Sequence, residues 1–88
     1  MIKIVQARPA TGTKISLMFS DGSRGEFDVA ALIERKTELT APLLDEHFRN
    51  RFFLELGALC WPNGLALSAA SIHRRLLADG ILQSEQVA

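Results

Sequence analysis

Residues 14–29 read KISLMFSDGSRGEFDV, and the phase of this stretch decides the fold. Ile15, Leu17 and Phe19 alternate with Lys14, Ser16 and Met18, the period-two pattern of a strand with one buried face. The return strand starts beyond Asp21-Gly22, and a two-residue Asp-Gly turn is the usual connection for such a pair. That register sets Leu17 against Glu26 and Phe19 against Arg24, which puts charges on the apolar face, because a slip of one residue turns every side chain over. A three-residue loop, Ser20-Asp21-Gly22, instead sets Ile15 opposite Phe27 and Leu17 opposite Gly25, and both apolar sets face one core. Asp21 then serves as a turn former whose short side chain satisfies local amides, and Gly22 as the residue that accepts positive φ.

Working outward, the segment IKIVQARP reads as a first strand ending at Pro9, and ATGT as the loop that follows it. Asp28 closes the hairpin and stands before VAALIERK, whose Val29, Leu32 and Ile33 fall at helical spacing, so it is placed to cap a short helix. Pro42 interrupts the chain next, and Asp45 is placed to cap a single turn that carries Phe48 inward. The run RFFLELGALCW reads as a second hairpin turning at Gly57-Ala58, with Leu56 opposite Leu59, Leu54 opposite Trp61 and Glu55 across from Cys60. Trp61 thereby joins the core wall and Cys60 points to the other side of the sheet. Ser68 caps a last helix over residues 69–79, with Ala69, Ile72 and Leu76 on one face and Gly80 as a left-handed terminator.

These elements predict an α+β fold: a small single domain over residues 1–82, in which a curved antiparallel sheet of β-hairpins packs with short helices and a C-terminal helix, followed by a flexible tail at 83–88. An 88-residue chain buries only about 60–65% of its unfolded surface, so stability is modest and association with a partner is advantageous. Apolar residues make up 48% and charged residues 23% of the chain, a globular balance. Ten basic residues cancel ten acidic ones, which leaves no long-range field to gather nucleic acid or to draw the protein to an anionic membrane. One cysteine forms no internal disulfide, the N-terminus has no secretion signal, and no apolar run spans a bilayer. A cytoplasmic protein with no membrane association is expected.

The chemistry-bearing residues form no recognised constellation. Cys60 has His47 and His73 as its only imidazole partners, at spacings that do not bring them together. In Asp45-Glu46-His47 adjacent helical positions face apart, and no second ligand pair supplies a metal site. DGSRG lacks the lysine and the strand-to-helix context of a phosphate cradle. No catalytic residue, metal or cofactor is therefore expected. His73 lies inside an apolar helical arc of about 160°, where it packs at the core edge with its ring nitrogen in water. The same arc offers Ala70 and Leu77 to another chain. Arg49, Arg51, Arg74 and Arg75 form a local basic patch if the last helix packs beside the second hairpin. Together with His73 and Leu77 they make up the candidate partner-binding residues.

FSDGSRGEFDV, APLLDEHFRN and CWPNGLALS, in this order and followed by a short helix, resemble the bacterial domain-of-unknown-function family two-four-four-two. Phe19, Ser20, Asp21, Gly22, Asp28, Pro42, Leu43, Phe48, Trp61, Pro62, Gly64 and Leu65 occupy the matching positions, and the resemblance runs from about Ile2 to Leu77. It implies a compact α+β fold with no established activity. Some relatives are encoded beside another small protein, in the manner of a toxin-antitoxin pair, and some carry an additional helix-turn-helix domain for which these 88 residues leave no room. Relatives often place an aromatic ring where this chain has His73, which implies packing there.

The leading expectation is a non-enzymatic interaction or regulatory module that binds a small protein or a second copy, as the antitoxin-like member of such a pair. The alternatives are a nucleic-acid-binding accessory, which requires the four arginines to converge on one face, and a small enzyme, which requires a pocket where Cys60, His47, His73 or the carboxylates meet.

Overall fold

The computed structural model describes residues 1–84. Strands β1 (Ile4–Pro9), β2 (Lys14–Phe19) and β3 (Arg24–Asp28) form one antiparallel sheet in the order β1-β2-β3. Helix α1 (Ala30–Glu34), a single 3₁₀ turn (Ala41–Leu44) and helix α2 (Glu46–Arg49) follow. A second antiparallel sheet holds β4 (Phe53–Glu55), β5 (Ala58–Cys60) and β6 (Ala66–Leu67), and helix α3 (Ala69–Ala78) ends the fold. The architecture is α+β, and the expected ribbons are divided between two small sheets. Contact between the sheets is made where the Ile4 N–H donates to the Gly57 carbonyl at 2.9 Å.

The first hairpin has the expected register. Ile15 lies opposite Phe27 and Leu17 opposite Gly25. The loop is Ser20-Asp21-Gly22, closed by the Gly22 N–H on the Phe19 carbonyl at 3.0 Å and the Phe19 N–H on the Ser23 carbonyl at 2.8 Å. Gly22 takes φ +88°, the left-handed conformation of the bulge that follows such a turn. Gly25 has a separate reason: a Cβ there would meet the Leu76 Cδ1 atom and the Ile81 carbonyl, each at 3.1 Å. A bare backbone at this point lets α3 and its exit close onto the sheet.

In the second hairpin the expected faces hold and the expected register does not. Leu54 lies opposite Leu59, Phe53 opposite Cys60 and Glu55 opposite Ala58, so the turn residues are Leu56-Gly57 and not Gly57-Ala58. The reason is turn chemistry. Leu56 and Gly57 have φ +52° and +81°, the pair of positive angles of the tight turn that matches the twist of its strands. Gly57 occupies the second position, where its missing side chain also admits Lys3, whose Cβ would sit 2.6 Å from an added methyl group. A shift of two residues leaves every side chain on its original face, so Leu54, Leu59 and Trp61 remain inward.

The sequence Trp61-Pro62-Asn63-Gly64 joins β5 to β6 and reproduces the first loop. The Gly64 N–H donates to the Trp61 carbonyl at 3.1 Å and the Trp61 N–H to the Leu65 carbonyl at 2.8 Å, with Gly64 at φ +96°. Phe19 and Trp61 thus hold the same position in two copies of one turn, and both are 1% exposed.

The inner faces of the two sheets, α1, the 3₁₀ turn and α3 share a core of Ile15, Leu17, Phe19, Val29, Leu43, Leu59, Trp61, Ile72 and Leu76. Ser68 caps α3 by accepting from the Ser71 N–H at 3.2 Å. At its far end the Ile81 N–H reaches the Leu76 carbonyl and the Gly80 N–H the Leu77 carbonyl, each at 3.1 Å, the paired bonds of a left-handed helix ending. The chain then pairs Gln83 with Arg24 on the outer edge of β3. Residues 85–88 of the expected flexible tail lie outside the described residues.

Candidate functional site

The densest polar cluster sits where the first loop meets α3. Asp21 Oδ1 accepts from the Ser23 N–H at 2.9 Å and from the Ser23 hydroxyl, while Oδ2 lies 3.0 Å from His73 Nε2. The imidazole stacks edge-on against Phe19, with centroids 5.1 Å apart and planes at 85°, and is 22% exposed. Its half-burial is as expected, but its nitrogen meets a carboxylate instead of water. Ser23, and after it His73, hold the Asp21 carboxyl below its ordinary value of 3.8. The sequence assigned Asp21 and His73 separate duties across 52 positions. The available signal was a helix histidine in an apolar arc that needed a partner, and a turn aspartate with one oxygen to spare.

Asn63 is the counterpart of Asp21 in the second copy of the turn. Its Oδ1 accepts from the Leu65 N–H at 3.1 Å, and its Nδ2 donates to the Leu39 carbonyl at 3.0 Å. Each loop therefore spends one side-chain atom on its own backbone and one on a distant element.

The four arginines take different positions. Arg49 is 8% exposed and turns its Nη1 inward onto the Leu43 and Leu44 carbonyls at 3.0 and 3.3 Å. The Arg49 carbonyl in turn accepts from Trp61 Nε1 at 3.0 Å. Arg49 thus clamps α2 to the 3₁₀ turn and leaves the expected surface patch. Arg75 bonds Asp79 at 3.1 Å one helical turn on, and Arg51 and Arg74 are exposed.

Cys60 lies on the outer face of its sheet, half-buried, with its thiol directed to the Ala58 carbonyl at 3.8 Å. Burial first and the Glu55 charge second push its pKa above the ordinary 9.0, so the thiolate needed of a nucleophile is disfavoured at neutral pH. Asp45 caps α2 through the His47 N–H at 3.2 Å. Asp28 accepts from the Thr13 hydroxyl and the Ala30 N–H, which hold its carboxyl below 3.8. Among the described residues, no three His, Cys, Asp or Glu side chains gather as a metal set, and every buried side-chain polar atom has a hydrogen-bond partner. No described helix is long and apolar enough to cross a membrane.

Several large apolar side chains are exposed, among them Leu44 at the end of the 3₁₀ turn at 73%. Leu56 at the tip of the β4–β5 turn is 92% exposed, and Leu77 on α3 is 62% exposed, one and two helical turns beyond the exposed Arg74 and Ala70.

No curated protein and no solved structure matches the chain. A family model described as Protein of unknown function (DUF2442) matches residues 4–76, a span that runs from the first residue of β1 to the last buried residue of α3. The chain belongs to that family.

Proposed function

We infer that this domain works by binding a protein partner, as an interaction or regulatory module, with the hairpin tip at Leu56 as its anchor. The observation that carries this reading is the conflict at that residue. A left-handed backbone costs a residue with a Cβ about 1–2 kcal/mol, and full exposure returns none of that through burial. Asparagine or glycine is the natural choice at this turn position. A bulky apolar residue held there on a rigid support, with Gly57 bonded to β1, fits a contact made outside the molecule, since strain of this kind collects at functional positions. The exposed stripe of Ala70, Arg74 and Leu77 on α3 supports the same reading with a second contact. The neutralising half of a toxin-antitoxin-type pair is the specific form of the proposal, and its partner is a small protein.

The test uses capture from the native cell with tagged wild-type chain and Leu56→Asn, read by mass spectrometry and thermal melting. The variant is expected to melt higher, by about 1 kcal/mol of stability, and to lose a stoichiometric partner that the wild type retains. A variant that is no more stable, or that keeps the partner, refutes the reading.

A further inference from the structure

We propose that the outer edge of β3 is a docking site for an extended, basic segment of a protein partner, which adds to the first sheet as a further strand. This surface is separate from the Leu56 tip, and the inference rests on the reading that the domain binds protein.

The argument starts from the ladder. The Phe19 N–H bonds the Ser23 carbonyl, and hydrogen-bonded pairs recur at every second residue of an antiparallel ribbon. Gly25 and Phe27 therefore turn their main-chain groups to β2, while Arg24, Glu26 and Asp28 turn theirs to the open side. Those of Arg24 are taken, its N–H by the Gln83 carbonyl at 2.8 Å and its carbonyl by the Gln83 N–H at 2.7 Å. Glu26 and the Asp28 N–H meet no main-chain partner among the described residues. The chain leaves the edge open there because Ile81 bends beneath Gly25. A cavity of about 590 Å³ runs along this edge, with two cations, Lys14 and Arg24, and two carboxylates, Glu26 and Asp28, in its lining beside Ile81 and Gln83; the part not covered by Gln83 is the part that holds the carboxylates. Folded proteins usually cover or disarm such an edge, because unpaired main-chain groups recruit strands.

Charge selects the occupant. Lys14 lies across from Asp28, whereas Glu26 lies across from Ser16 and has no ion-pair partner among the described residues. A strand laid beside β3 places one side chain next to Glu26 on the outer face, and a lysine or arginine complements it. A second copy of this chain does not fit. With Arg24 covered by Gln83, a two-fold pairing is confined to residues 26–28 and sets carboxylates against carboxylates.

The experiment is an NMR titration of the ¹⁵N-labelled full chain with two capped pentapeptides, Thr-Val-Lys-Val-Thr and Thr-Val-Glu-Val-Thr, to roughly millimolar concentration, the range in which single weak contacts register. The lysine peptide is expected to shift the Glu26 and Asp28 amides and to slow their hydrogen exchange severalfold, and the glutamate peptide to do neither. Glu26→Lys should weaken the lysine peptide on the order of tenfold and reverse the preference. Glu26→Pro keeps the fold, because the lost donor faces outward, and abolishes the response. No shift with the lysine peptide, equal shifts with both, shifts centred away from residues 24–28, or a response that survives Glu26→Pro would each overturn the proposal. None of these outcomes bears on the Leu56 capture, which decides the broader reading by itself.

Discussion

The loops Phe19–Ser23 and Trp61–Leu65 have the same backbone, and they differ in one atom that matters. Both put an aromatic residue first, an Asx residue third and a left-handed glycine fourth. In both, the Asx Oδ1 accepts from the N–H two residues on, at 2.9 Å for Asp21 and 3.1 Å for Asn63. The second side-chain atom then meets opposite demands. Asp21 presents an oxygen to the His73 ring, and Asn63 presents an amide donor to the Leu39 carbonyl. Local turn geometry thus accepts either residue, and the distant partner decides between carboxylate and amide. The signature motifs of the sequence are one structural device used twice, each copy seating a ring in the core and tying its hairpin to another element.

The largest expected effect breaks the equivalence of the two rings. Phe19→Ala and Trp61→Ala should each cost about 3–5 kcal/mol, measured as a shift in urea midpoint at constant slope. Trp61 should be the costlier, because its loss also leaves the buried Arg49 carbonyl without the indole N–H. A smaller loss at Trp61 than at Phe19 would mean that the indole bond to the Arg49 carbonyl adds little. Next in size are Gly22→Ala and Gly64→Ala. With φ of +88° and +96°, each should lose about 1–2 kcal/mol from the left-handed backbone alone. Nothing lies within 4 Å of an added Cβ at Gly64, so that value reports conformation without crowding. A loss near zero at Gly64 would show that its loop does not depend on a left-handed glycine.

Why one hairpin was legible in the sequence and another only half legible follows from parity. In the first, the competing registers differed by one residue, which exchanges the two faces, and the apolar pattern of residues 15–27 rejected one of them. In the second, the competitors differed by two residues, which keeps Leu54, Leu59 and Trp61 inward in either case. With only three residues in each strand the pattern is silent on such a slip, and tight turns accept glycine at either central position, so the sequence does not separate the two registers. The caps at Ser68 and Asp45 and the ending at Gly80 were legible because each depends on residues within one turn of helix. Arg49, His73 and the edge of β3 were not, because inward rotation of a guanidinium, a contact across 52 positions and a bridge from Gln83 to Arg24 are products of tertiary packing. The candidate partner-binding set consists of arginines on and just after α2 (Arg49, Arg51) together with His73, Arg74, Arg75 and Leu77 of α3. The tip at Leu56 escaped it because the residue was assigned to a strand.

The smallest effect, and the sharpest test of the comparison, comes from exchanging the two Asx residues. Asn63→Asp keeps the acceptor for the Leu65 N–H and turns a carboxylate oxygen toward the Leu39 carbonyl, at a cost of about 1 kcal/mol at neutral pH. Part of that should return in acid, as the new carboxyl gains a proton to donate. Asp21→Asn keeps the turn and removes the negative charge facing His73. In the wild type, Asp21 titrates below 3.8 in the folded chain, so the unfolded state binds its proton first as pH falls. The stability this provides is complete above pH 3.8 and is lost as the pH drops through the lower folded value. The variant should therefore be slightly less stable than wild type near neutrality, and should show a shallower loss in urea midpoint below pH 3.8, with the two curves converging. Parallel curves through that window would mean that the Asp21 carboxylate gains no stability from Ser23 and His73 together. The two turns would then be alike in energy as well as in shape.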